Sequence, residues 1–108
     1  MKEAIFIVLA ASMLWLAACT PQTDLTYTQD IAPIIYQNCT PCHRSGGAAP
    51  FSLTEYQHVF RKKKTILAVT QRGLMPPWPA DRNYSHFLGE RYLSDSDKDK
   101  LKRWIEGC

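Results

Sequence analysis

The chain lacks the length, the charge and the long apolar run that several classes of protein require. At 108 residues it can form one small domain at most. Its net charge is only +3, and such a mild excess does not demand a nucleic-acid partner. Its N-terminal apolar run, residues 4–16, is shorter than the roughly 20 residues that span a bilayer. These absences leave a single small domain as the starting expectation.

The apolar run at the N-terminus has the size of the hydrophobic part of a secretory signal sequence. It follows Lys2 and ends in the sequence LAAC, residues 16–19. Small residues before a cut site are usual in secretory signals, and the cysteine that follows them resembles the lipobox of bacterial lipoproteins. This resemblance implies that residues 1–18 are removed and that Cys19 becomes lipidated. The alternatives are an ordinary secreted protein and a buried N-terminal helix.

The sequence NCTPCHRSG, residues 38–46, places Cys39 and Cys42 two residues apart, with His43 directly behind the second. Three chemistries use such a pair of thiols. They are a zinc site, a thioredoxin-like redox pair and the covalent attachment of a c-type haem. The rest of the chain has to distinguish between them.

The chain is short of the partners that a zinc site needs. Structural zinc takes four ligands, usually from a second Cys or His pair at comparable spacing. After the motif, only His58, His86 and Cys108 carry suitable side chains, and no two of them form a close pair. A zinc site is therefore disfavoured.

Strand-rich runs that could build a thioredoxin-like sheet are also scarce. A redox pair of that kind follows a strand, whereas residues 30–38 predict a short helix that leads into the cysteines. Its isoleucines recur at helical spacing, Pro33 falls in the first turn, and Thr28 or Asp30 can cap its start. The cysteines are thus expected at the end of a helix.

The attachment of one haem c accounts for more of the sequence. The two residues between Cys39 and Cys42 match the separation of the haem vinyl groups, to which the thiols add. His43 then lies under the iron as an axial ligand. Because haem is attached in this way outside the cytoplasm, the motif and the export signal agree on the compartment.

Methionine is scarce, which narrows the choice of a second axial ligand. Met1 and Met13 leave with the signal sequence, so Met75 is the only thioether in the mature chain. The prolines that follow it restrict its backbone to a stiff, extended loop. Met75 is therefore predicted to be the sixth ligand, and His58 and His86 are its competitors.

The order of these features resembles a class I cytochrome c. A helix, the CxxCH motif, a middle helix over residues 54–60, the Met75 loop and a closing helix over residues 95–106 follow one another. The sequence is similar to those of cytochrome c-like domains at the N-terminus of longer exported bacterial proteins. The resemblance implies an all-α fold of three to five helices wrapped around one covalently bound haem.

In this interpretation residues 1–18 are the signal sequence, residues 19–27 a short tether, and residues 28–108 the haem domain, which could be truncated at its C-terminus. Pro50, Phe51 and Trp78 are candidates for the wall of the haem pocket. The closing helix should begin after Ser94, end at Gly107 and face the isoleucines of the first helix. The basic run of residues 61–64 is expected on a solvated helix face.

The expected function is single-electron transfer by an electron carrier that is not an enzyme. It would be held by lipid on the periplasmic or cell-surface side of a bacterial membrane and would exchange electrons with unidentified redox proteins. The alternatives are a haem enzyme or gas sensor with a labile sixth ligand, and an electron-entry module of a larger redox enzyme.

Overall fold

The computed structural model describes residues 24–107, and within that range every regular element is helical. A π-helical turn, Tyr27–Ile31, continues directly into helix α1, Ala32–Asn38, which is followed by α2, Tyr56–Gln71, and α3, Asp95–Glu106. The predicted all-α class is confirmed. None of the helices in this part of the chain is long and apolar enough to cross a membrane. The predicted signal sequence, the lipidation site Cys19 and Cys108 lie outside the described residues.

The first helical segment begins earlier than the sequence predicts. Thr26, and neither Thr28 nor Asp30, is the capping residue, because its hydroxyl accepts a hydrogen bond from Gln29 N at 3.3 Å. The Asp30 carboxylate accepts one in return from Thr26 N at 2.7 Å. This reciprocal pair resembles a capping box with a spacing of four residues, since the first turn is the wider π-helical form. Pro33 lies in the first turn of α1, as predicted.

Helix α2 runs 11 residues beyond the predicted end at residue 60. The prediction was wrong because the basic run of residues 61–64 interrupts the apolar pattern. The pattern resumes beyond it, since Ile66 and Thr70 return to the buried side that Val59 occupies. The basic run lies in the middle of the helix and is largely exposed, which confirms the predicted solvated face.

Helix α3 has the predicted bounds, because its start and end are determined locally. Ser94 caps it by accepting a hydrogen bond from Asp97 N at 3.0 Å. Asp95 and Asp97 lie in the first turn, where a negative charge interacts favourably with the helix dipole. Gly107 is the C-cap, in an extended conformation that other residues can also adopt.

The core lies where α3 packs against both α2 and the π-helical turn. Its buried members come from all the helices and from the two connecting segments: Ile31, Ile34, Ile35, Leu53, Val59, Ile66, Leu93, Leu101 and Ile105. Trp104 packs at its edge. The predicted facing of the first-helix isoleucines and the apolar stripe of α3 is therefore confirmed. Cys39 and Phe51 pack against the same cluster, so the core also positions the CxxCH motif.

Candidate functional site

The CxxCH motif forms a helical turn of its own at the end of α1. Cys39 N donates to Ile35 O at 2.8 Å and continues the helix by one residue. His43 N then donates to Cys39 O at 2.8 Å, and Cys42 N to the same carbonyl at 3.2 Å. Residues three and four positions apart in such a turn are neighbours. The structure thus brings the two predicted thiols and the predicted imidazole together on a single turn.

The chain after the motif folds back onto it. Ala49 N donates to Cys42 O at 3.1 Å, and Leu53 N donates to His43 O at 2.9 Å. Leu53 is itself a buried core residue, with 3% of its surface exposed. The motif is therefore held on one side by α1 and on the other by a loop that ends in the core.

Two glycines make this return possible. Gly46 has φ of +72°, in the left-handed region that favours glycine. At Gly47 an added Cβ would lie 2.3 Å from the carbonyl oxygen of Cys42, where backbone occupies the space. The prediction from sequence missed this role, although the Gly-Gly pair three and four residues after His43 was a readable signal.

The orientation of the His43 ring leaves one nitrogen suited to binding a metal. Its Nδ1 lies 3.1 Å from the carbonyl oxygen of Phe51. A carbonyl can only accept, so this contact assigns the proton to Nδ1 and leaves the Nε2 lone pair available in the neutral ring. Ligating histidines usually have their second nitrogen held in this way. The ring centres of His43 and Phe51 are 4.5 Å apart. Phe51, a predicted pocket-wall residue, therefore also orients His43, the predicted iron ligand.

The two cysteines are free thiols in different surroundings. Burial raises the pKa of the Cys39 thiol to about 11. The Cys42 sulfur accepts a hydrogen bond from Arg91 Nη1 at 3.2 Å. Thiol redox pairs use a lowered pKa, as at a helix N-terminus. Cys39 lies at the C-terminal end of a helix and its pKa is raised, which argues against the redox alternative.

Arg91 is a functional candidate that the sequence did not reveal. It lies 49 residues beyond Cys42, and no local pattern marks it. It joins the segment that follows Met75 to the CxxCH turn.

The remaining histidines lie away from the motif in different environments. His58 is half-buried in α2, where its Nδ1 is buried without a partner among the described side chains. His86 is exposed in a loop, with Nδ1 3.3 Å from a carboxylate oxygen of Glu90. Across residues 24–107, no group of three His, Cys, Asp or Glu side chains is placed to hold a metal ion. The described residues therefore do not form a zinc site made of protein ligands alone.

Met75 follows α2 through a short turn. Val69 O accepts hydrogen bonds from Leu74 N at 2.9 Å and from Met75 N at 3.3 Å, and these bonds set where the loop leaves the helix. The Met75 side chain is 41% exposed, whereas Cys39 packs against the core. The structure fixes the start of this loop and leaves Met75 exposed, outside the buried cluster that positions the motif.

The two other pocket-wall candidates also differ from Phe51. Pro50 is exposed, and Trp78 is half-buried with its ring 6.3 Å from that of Phe87. Both remain predictions.

The side chains present on the turn fit a c-type haem. Two free thiols at CxxC spacing and an imidazole with Nε2 available lie next to one another. No protein-family model, curated protein or solved structure matches the chain.

Proposed function

We propose that the protein is an exported, membrane-tethered class I c-type cytochrome that carries single electrons. The observation that supports this most strongly is the hydrogen bond between His43 and the Phe51 carbonyl, on the turn that also carries Cys39 and Cys42. A backbone carbonyl fixes the tautomer and the direction of the imidazole, as it does for ligating histidines in general.

Each residue of the site has a defined task in this proposal. Cys39 and Cys42 hold the haem covalently, and His43 binds its iron through Nε2. Met75 provides a neutral sulfur ligand, which raises the reduction potential. When bound, the haem supplies a one-electron exchange between Fe(III) and Fe(II). The chain itself performs no bond-making beyond attachment.

The assignment of Met75 is supported by other exposed apolar side chains on the same stretch of the chain. Leu74, Met75, Phe87 and Leu88 are all large and exposed on the stretch of residues 74–91. Exposed apolar surface of this kind commonly marks an interaction site. A haem bound at the CxxCH turn would offer an apolar surface against which these side chains could pack, with Met75 next to the iron.

The tether is proposed from the sequence LAAC, residues 16–19. Mass spectrometry of membrane-extracted protein should show an N-terminus at an acylated Cys19. A soluble product with another cut site would contradict the lipoprotein assignment.

The partners are proposed to be redox proteins with an acidic docking surface. Helix α2 has four basic residues, at positions 61–64, and no acidic residue. A surface of one charge sign accelerates the approach of an oppositely charged partner and loses this effect as salt rises. Electron transfer to an acidic one-electron acceptor should therefore slow as the ionic strength increases.

Haem attachment is tested on protein made together with a haem-attachment system. The wild type should keep its haem in acidified organic solvent, and the Cys39→Ala/Cys42→Ala double variant should lose it. Cys108→Ala is the matched control and should keep it. If haem remains attached to the double variant, the proposed attachment is wrong.

The exposure of Met75 supports a second candidate, a gas sensor or haem enzyme with a labile sixth ligand. The two candidates are separated by adding carbon monoxide to the reduced protein. An electron carrier with a firm Met75 ligand should bind it slowly or not at all, whereas a sensor should bind it at once. A sulfur-to-iron charge-transfer band in the oxidised protein would favour the carrier.

A further inference from the structure

A positive charge lies near the proposed iron ligand. Lys62 Nζ is 4.6 Å from the centre of the Phe51 ring. The Phe51 ring is in turn 4.5 Å from the His43 ring, and its carbonyl holds His43 Nδ1. The ammonium group, the aromatic ring and the imidazole are thus linked by consecutive contacts. From these two distances, Lys62 Nζ lies no more than about 9 Å from the His43 ring centre.

We propose that the positive charge of Lys62 raises the reduction potential of the haem held by His43. This rests on the proposed function. Reduction takes one electron from a donor protein and converts Fe(III) to Fe(II), so the positive charge at the iron falls by one. A fixed cation nearby repels the oxidised form more strongly and therefore favours the reduced form. The Phe51 ring contacts both the ammonium group and the imidazole, so it holds the charge near the ligand.

The same helix contains a matched comparison. Lys63 Nζ lies 4.2 Å from the centre of the Phe60 ring, in the same kind of cation–π contact. Phe60 stacks on Tyr56, with ring centres 5.6 Å apart, rather than on the proposed ligand. Neutralising Lys62 or Lys63 removes one charge from the same helix and breaks the same type of contact. Only Lys62 is joined to His43 through Phe51.

The test measures the midpoint potential of the holoprotein and its variants by spectroelectrochemistry at low salt. Lys62→Gln should make the reduction equilibrium about threefold less favourable, which is a fall of about 30 mV at 59 mV per tenfold change. Lys63→Gln should shift the potential by less than half as much, and Lys62→Arg should leave it unchanged. The effect of Lys62→Gln should shrink at high salt, because an exposed charge is screened.

A shift that persists unchanged at high salt would mean that Lys62 acts through the packing of Phe51, and it would overturn the electrostatic proposal. Equal shifts for Lys62→Gln and Lys63→Gln would also overturn it, because they would show an effect of helix charge alone. A normal haem spectrum with no shift in Lys62→Gln would overturn this inference but leave the proposed function standing. A chain that attaches no haem would overturn both.

Discussion

Two regions of the molecule supply the proposed iron ligands, and they are built differently. The motif loop, residues 39–53, is tied to α1 by backbone hydrogen bonds at its first end and to the core by the buried Leu53 side chain at its last. The ligand segment, residues 74–91, has large side chains in open solvent, with Tyr84 87% and Leu88 106% exposed. Arg91 connects the two regions through the Cys42 sulfur.

This difference shows which half of the proposed site the polypeptide prepares by itself. His43 is oriented by a carbonyl of its own loop, and the loop is held by buried residues. The backbone of Met75 is fixed by its hydrogen bond to Val69 O, but the residue is 41% exposed. The two proposed ligands should therefore respond differently to mutation. Replacing His43 should disturb the folded site, whereas replacing Met75 should remove one iron ligand and leave the rest of the site intact.

The largest effect is expected when the proposed iron ligands themselves are replaced. His43→Ala should abolish the formation of stable holoprotein, because it removes the ligand that the fold orients. Met75→Ala should keep the covalent haem but open the sixth position, so that the oxidised iron becomes high-spin and the potential falls. Absorption spectra and haem content after denaturation measure both results. If both variants lose their haem equally, the proposal that the fold prepares His43 but not Met75 is wrong.

The next largest effect concerns stability. Ile35 is fully buried, so Ile35→Ala should lower the free energy of unfolding of the holoprotein by roughly 3 kcal/mol. Tyr84→Ala, in the ligand segment, should change it by less than about 0.5 kcal/mol, because Tyr84 is 87% exposed. Denaturant titrations followed by circular dichroism measure both. A large loss for Tyr84→Ala would show that Tyr84 is packed in the holoprotein and would contradict the open construction of the ligand segment.

One glycine in each region allows the stability of the motif loop and of the ligand segment to be compared by the same substitution. Gly47→Ala should cost about 2 kcal/mol, since the new Cβ would meet the Cys42 carbonyl. Gly89→Ala in the ligand segment should cost about 1 kcal/mol, because φ there is +77° but no atom lies within 4 Å of the new Cβ. The same titrations apply, and Gly47→Ala should also lower the yield of attached haem. Equal costs for the two variants would contradict the tighter construction of the motif loop.

The smallest effect is expected where the two regions meet. Arg91→Gln removes an exposed contact to a weak sulfur acceptor, so stability should fall by no more than about 0.5 kcal/mol. Limited proteolysis is the more sensitive measurement, because local opening exposes cleavage sites. Trypsin should cleave the variant faster after Arg82, while cleavage after Arg44 in the motif loop serves as the unchanged control. An unaltered rate after Arg82 would mean that Arg91 does not hold the segment.

The parts of the fold that could be predicted are those with local causes. The bounds of α3 follow from the Ser94 cap and an apolar stripe, both of which are readable over a few residues. The end of α2 was missed because Ile66 and Thr70 are held by the core across a basic run. The cap of the first segment was missed because a π-helical turn changes the spacing that a capping box normally has.

The helical class, the closing helix and the CxxCH turn could be predicted from the amino-acid sequence, since their causes are local: thiols and imidazole at that spacing become neighbours through hydrogen bonds within one turn. The tertiary structure decided what surrounds the turn. Phe51 O contacts His43, Lys62 on α2 contacts the Phe51 ring, and Arg91 contacts Cys42 across 49 residues. Contacts between distant residues depend on how the helices pack, and that packing has no signature in any short stretch of the chain.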